Sequence, residues 1–243
     1  MSEHDQVAGM LSAKNSAPLD LDPARTALII VDMQRYFTEP SFPFTDLFER
    51  MSPGVCSGYL RRVRDSVIPS IRRLLDHFRN NDSLVVFTAV GTETSDGSDL
   101  ACWARALDEA GLNLLGTRIH PPVGHPSWQI DPRLEPREEE IVVNKLSAGT
   151  FATTNLAEQL RSRGVDRVVI TGVVTDVCVS TTAREAADRN FKVVIVSDAC
   201  TTFSEQLHQA NLETLHVFGW IRVTDDVIRM TQTAHATVQD QTL

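Results

Sequence analysis

The sequence is short of lysine. Of its 23 basic residues only Lys14, Lys145 and Lys192 are lysines, and the rest are arginines. It is short of cysteine too, with Cys56, Cys102, Cys178 and Cys200 alone. No two of these form a Cys-x-x-Cys pair and none joins a Cys/His cluster, which argues against a structural zinc site. Four thiols in 243 residues are too sparse for a disulfide framework. Long apolar runs are missing as well. The stretch 27–31 falls far short of the ~20 residues that a membrane span needs. Residues 1–18 hold no apolar core, so no secretory leader is expected. A net charge of −9 leaves no broad basic footprint for nucleic acid or an anionic membrane. The expectation is a reduced, cytoplasmic protein with a small-molecule partner.

What is present is a series of short aliphatic runs. Residues 26–32 (TALIIVD), 83–90 (SLVVFTAV), 140–144 (EIVVN), 167–173 (RVVITGV) and 192–198 (KVVIVSD) stand out, with a weaker sixth at 220–223. Each is nearly continuously apolar rather than alternating, the pattern of parallel strands covered on both faces. Between them lie helical stretches at 63–80, 99–110, 155–163, 177–189 and 205–218. In the third, Asn155 followed by Glu158 has the form of a capping box. Asn80-Asn81, Gly164 and Asn190 supply helix stops just before strands. The repeated unit predicts an α/β fold, a doubly wound, six-stranded parallel sheet with helices on both faces. Without an interdomain linker, residues 21–243 read as a single domain behind a flexible tail, 1–20. Two long connections, 33–62 with its aromatics and 91–139 with its prolines, are expected to build a pocket or an interface.

Ligands of open α/β sheets bind beyond the carboxyl ends of the strands. Asp32 ends the first run, and Lys145 follows the third. The fourth leads through Gly172-Val173-Val174-Thr175-Asp176-Val177 to Cys178. An acid, a base and a thiol therefore share one sheet edge. A helix start and a neighbouring ammonium lower a thiol pKa, and a carboxylate can accept the thiol proton. That is an arrangement for attack on a carbonyl, with backbone N–H groups before and at Cys178 as oxyanion donors. Cys102 and Cys200 lack this setting and are expected to be inert. Trp103 is placed in the pocket from its helix, and Thr92 and Glu93 lie within reach of a polar substrate.

At these residues the sequence resembles the isochorismatase-like cysteine hydrolase superfamily. Three motifs carry the likeness: Ile30-Val31-Asp32-Met33-Gln34 with Phe37; Val143-Asn144-Lys145 with Gly149-Thr150-Phe151; and Gly172 to Val179 with Thr181-Thr182-Ala183-Arg184-Glu185-Ala186. The resemblance implies an Asp32–Lys145–Cys178 triad, with Phe37 and Phe151 near it. It also implies a cis peptide between Val173 and Val174 that turns the Val174 N–H towards the oxyanion. The residues 87–96 lack the Asp-x-His of the metal-binding nicotinamidases, so no metal and no cofactor are expected. The likeness is greatest to ureidoacrylate-, biuret- and triuret-type amidohydrolases, which act on a small amide or ureide substrate, and implies a homodimer or homotetramer. Three alternatives are weighed. A vinyl-ether hydrolase would use Asp32 and Lys145 without the thiol. A nucleotide- or flavin-binding module lacks its Gly-x-Gly-x-x-Gly turn. A catalytically dead interaction protein would have lost a triad member.

Overall fold

A computed structural model describes residues 9, 10, 13 and 16–240, with side chains as far as 232. Six strands form one parallel sheet: β1 (Thr26–Val31), β2 (Leu84–Val90), β3 (Ile141–Lys145), β4 (Arg167–Val173), β5 (Lys192–Thr201) and β6 (Trp220–Arg222). Their order is β3-β2-β1-β4-β5-β6. The chain runs outward to one side from β1 and then returns to its other side, so the switch point lies between β1 and β4. Every residue of β1 and β4 is buried, which is why both read as nearly continuous apolar runs.

Side-chain alternation divides the core. Leu28, Ile30, Phe87, Val169 and Val194 face one layer. Its helices are α1 (Pro43–Met51), α2 (Val55–Arg62), α3 (Ile68–Asn80) and α8 (Thr224–Asp240). Ala27, Ile29, Val86, Ile170 and Ile195 face the other. There lie α5 (Leu156–Ser162), α6 (Ser180–Asp188) and α7 (Glu205–Leu215). One further helix, α4 (Cys102–Leu115), belongs to the 91–139 connection. In α3 the buried residues Ile68, Ile71, Leu74, Leu75 and Phe78 form one stripe. Each contributes about 1.5–3 kcal/mol by leaving water.

Several local expectations are corrected. The connection 33–62 is largely helical: a short turn Arg35–Thr38, then α1 and α2. Pro43 opens α1, where its missing N–H is harmless. α2 continues through a π turn, Val63–Val67, into α3. Pro69 sits just beyond and cannot donate to the carbonyl four residues back; the widened turn accommodates its ring. Asn155 makes no side-chain cap; its Oδ1 accepts from Gln159 Nε2 instead. The left-handed stop after α3 is Asp82 (φ 51°). β5 runs on past Asp198 to Thr201 through an irregularity opposite 170–172, so Cys200 lies in the strand. Asp198 Oδ1 accepts from the N–H and hydroxyl of Thr224 at the start of α8.

Most of the expected tail lies outside the described residues. Leu19 and Leu21 are buried, and the Asp20 carbonyl accepts from Arg167 Nε at 2.7 Å. No helix among the described residues is long and apolar enough to cross a membrane.

Candidate active site

The site forms where β1, β3 and β4 end. Asp32 leaves β1 with a left-handed backbone (φ 51°), which Asp tolerates better than most residues. Its N–H donates to the Thr88 carbonyl, and Thr88 Oγ1 donates to Asp32 Oδ1 at 2.7 Å. The carboxylate is thus held by the adjacent strand β2. Thr88 carries no sequence signal beyond being a β-branched residue within a strand.

Lys145 ends β3 in register with Val90 of β2, one strand removed from Asp32. Its long side chain spans that strand. Nζ lies 2.8 Å from Asp32 Oδ2 and donates to the carbonyls of Ser147 (2.8 Å) and Ala148 (3.0 Å). It stands 3.6 Å from Cys178 Sγ. Both ionised groups are fully buried. Burial alone would lower the ammonium pKa, but the charges of Asp32 and Cys178 and their hydrogen bonds outweigh it and hold it above the ordinary lysine value.

Cys178 lies in a π turn, Thr175–Val179, that precedes α6. The peptide between Val173 and Val174 is cis. The chain reaches this turn through Gly172, which has φ 110° and sits so close to β1 that a Cβ there would lie 2.0 Å from the Val31 carbonyl oxygen. Only glycine allows that approach. The thiol is 6% exposed. A lowered thiol pKa was expected from the helix start and the ammonium. The structure reverses that direction. Burial pushes it up most, Lys145 lowers it, and Asp32 raises it again, to about 12. Cys200 is also raised by burial, while Cys102 is exposed.

Further polar groups brace the edge. The Gln34 amide donates to the carbonyls of Val90 (3.1 Å) and Trp128 (2.9 Å) and accepts from the Val90 N–H. Asn144 accepts from Trp128 Nε1 and donates to the Gly91 carbonyl. Glu185 Oε2 accepts from the Phe151 N–H at 2.7 Å, against Gly149, where a Cβ would collide with the carboxylate. Gln34 and Glu185 stand in the quoted motifs but had no role from sequence, because an amide or acid inside a motif does not reveal what it spans.

Of the expected walls, Phe37 joins an aromatic group with Tyr36 (4.5 Å between centroids) and Phe44 (4.7 Å). Phe151 instead stacks on Phe191, with the Arg189 guanidinium over its ring. Trp103 is 41% exposed and touches the aromatic group only through His120. Thr92 Oγ1 donates to Asp99, and the Glu93 N–H donates to the same carboxylate, so both build the loop. The two long connections do meet at a cleft of about 480 Å³, lined by Pro43, Thr92, His120, His125 and Ser127 among others. As an interface the aromatic segment 36–48 is a poor candidate, since Tyr36, Phe37 and Phe44 pack inward. His120 pairs with Asp108 and His125 with Ser127. Among the described residues no three His, Cys, Asp or Glu side chains converge as a metal site.

A buried acid–ammonium pair beside a thiol can move a proton from sulfur to oxygen without a net change of charge, which suits covalent attack on a carbonyl. Comparison with known proteins gives the same family three ways. A model of the isochorismatase domain matches residues 26–226. The ureidoacrylate amidohydrolase RutB of Pseudomonas savastanoi pv. phaseolicola is 30% identical over 233 residues, covering 91% of this chain and 89% of that protein. The N-carbamoylsarcosine amidase of an Arthrobacter species is 26% identical over 210 residues, 84% of this chain and 70% of that protein. Among solved structures, a cysteine hydrolase from Pseudomonas syringae pv. phaseolicola matches with a TM-score of 0.73 and 27% identity, covering 90% of this chain and 99% of that one. Fold, strand-end geometry and likeness agree: this chain belongs to the isochorismatase family.

Proposed function

We propose that this isochorismatase-family hydrolase is a cysteine-dependent amidohydrolase that cleaves a C–N bond in a small ureido, carbamoyl or amide compound. The observation that carries the reading is the meeting of Asp32, Lys145 and Cys178, three residues from distant segments, within 2.8 Å and 3.6 Å of one ammonium. Its relatives that act on ureidoacrylate and N-carbamoylsarcosine support the same bond class.

In this reading Asp32 takes the thiol proton as Cys178 Sγ attacks the carbonyl carbon. A thiol held at about 12 needs such a base, and Lys145 steadies the thiolate as it forms. The oxyanion rests on the N–H groups of Val174 and Cys178. Asp32 returns its proton to the departing nitrogen, which leaves as ammonia or an amine. Water, deprotonated by Asp32, then opens the thioester and restores the thiol. Residues 21–243 act as one domain, in the cytoplasm, as a homodimer or homotetramer.

The test is ammonia release over a panel of ureides, carbamoyl amino acids and simple amides. Cys178→Ala is expected to lower kcat on the accepted substrate at least about a thousandfold. Equal release from variant and wild type would sink the nucleophile assignment, and a wild type that releases no ammonia but cleaves a vinyl ether, with Cys178→Ser keeping most of that activity, would favour vinyl-ether hydrolysis through Asp32 and Lys145.

A further inference from the structure

Helix α7 buries His208, Leu212 and Leu215. Their spacing of four and three residues puts them on one face of the helix, and both leucines belong to the core layer on that side of the sheet. The stripe thus begins with a histidine where an apolar residue would fit. A buried polar ring needs a partner. His208 has one, because its Nδ1 lies 2.8 Å from Thr175 Oγ1. Thr175 is itself fully buried. Burial holds the imidazole below the ordinary histidine pKa, so at neutral pH the bond joins two uncharged groups. The bond falls at a sensitive place. Thr175 opens the π turn that carries Cys178, and Val174 before it ends the cis peptide. No side chain caps the turn at its start. The Val174 carbonyl accepts from the N–H groups of Val177 and Val179, so the turn moves with the pair Val174 and Thr175.

We propose that His208 is a positioning residue of this hydrolase: through Thr175 it fixes the turn that sets Cys178 Sγ and the Val174 and Cys178 N–H groups against the substrate carbonyl. The inference rests on the amidohydrolase reading above, since that reaction needs the nucleophile and both donors in register. His208 is well placed to hold the turn. Ser204 caps α7, its hydroxyl accepting from the N–H of Leu207, the residue before His208. The strand beside the turn is held separately. Thr201 of β5 pairs with Val173, and Arg62 donates to Thr201 Oγ1 (3.0 Å) and to the carbonyls of Thr202 (2.6 Å) and Phe203 (2.9 Å). His208 and Arg62 line one cleft of about 260 Å³ with Cys200 and Thr201. None of Asp32, Lys145 and Cys178 lines it, so His208 acts on the chemistry only through the turn. A misplacement of ~1 Å in such a group costs about a hundredfold in rate, and the loss falls on kcat, because oxyanion donors act in the transition state.

The experiment measures kcat and KM on the accepted substrate of the panel. His208→Leu suits the apolar stripe and removes the hydrogen bond; kcat is expected to fall about tenfold or more, with KM within about threefold. His208→Asn sets an amide atom where Nδ1 stood and is expected to bring kcat back to within about threefold of wild type. Thr175→Val is expected to match His208→Leu, and the double variant to be no worse than either, since the same bond is lost in all three. Full kcat in His208→Leu, equal losses in His208→Leu and His208→Asn, a loss carried by KM alone, or additive losses in the double variant would each overturn the assignment. Should His208→Leu not fold, Thr175→Val, with Thr175→Ser as its rescue, decides the matter from the other partner. If the wild type hydrolyses no amide, or Cys178→Ala matches it, the amidohydrolase reading fails; if only the His208 and Thr175 variants disagree, this inference fails alone.

Discussion

Asp32 shows how much one residue depends on its neighbours. Its position at a strand end is plain in the sequence, but its hold on Thr88 and Lys145 comes from two other strands. Cys178 shows the same dependence more sharply. Its motif and its place near a helix start are legible, and both suggest a lowered pKa. Burial is a tertiary property, and it dominates: the thiol stands at about 12. The free protein therefore keeps this thiol protonated at neutral pH. Alkylation of Cys178 by iodoacetamide, taken as wild type minus Cys178→Ala, should rise steadily from pH 7 to about pH 10 without levelling off. A plateau below pH 8 would mean a preformed thiolate and would remove the need for Asp32 as base.

At the scale of elements, β1, β2, β4 and β5 were legible because they are largely buried on both faces and need nearly continuous apolar character, whereas the edge strands β3 and β6 are partly exposed. Between β1 and β2 the helix at 63–80 was legible too, but α1 and α2 were not, because Pro40, Pro43, Pro53 and Gly54 make that stretch look like a loop. Proline at the first position of α1 and glycine before α2 in fact mark starts. Gly172 has a function that its place in a strand conceals. Its φ of 110° and the 2.0 Å that would separate a Cβ from the Val31 oxygen tie the end of β4 to the end of β1. Gly172→Ala is expected to cost about 3 kcal/mol or more, through the clash and the disfavoured φ together. Chemical denaturation would measure it; a loss under about 1 kcal/mol would show that the two strands can part there without consequence.

For the whole molecule, the acidic composition has a consequence for stability with pH. Burial alone would raise Asp99, Asp108, Asp131 and Glu140, yet hydrogen bonds and paired charges outweigh it and hold all four carboxyls down, Asp99 at about 2. A carboxyl lowered on folding stabilises the protein above its unfolded pKa and stops doing so as pH falls through its folded value. The buried thiols act with the opposite sign. Burial raises Cys56 to about 11 and Cys178 to about 12, so their contribution is whole below the unfolded thiol pKa and is lost as pH rises beyond it. Burial also lowers the pKa of His77, His208 and His216, so the urea midpoint is expected to be highest near pH 7 to pH 8, to begin falling below about pH 6.5, to fall further below pH 4 and to fall again above pH 9. A midpoint steady down to pH 2 would show that these carboxyls are as well solvated folded as unfolded.

By itself the sequence determined the layered α/β fold and the edge of the sheet where chemistry collects, since both follow from patterns that local physics enforces: double burial of parallel strands, and loops at their carboxyl ends. Three lysines and four cysteines made Lys145 and Cys178 easy to single out. The tertiary structure decided what those residues experience. It brought Lys145 across β2 to Asp32, set Thr88 beneath the carboxylate, buried the thiol and stacked Phe151 away on Phe191. Distance, desolvation and the company of charges arise only when remote segments pack together, and they govern the proton on Cys178.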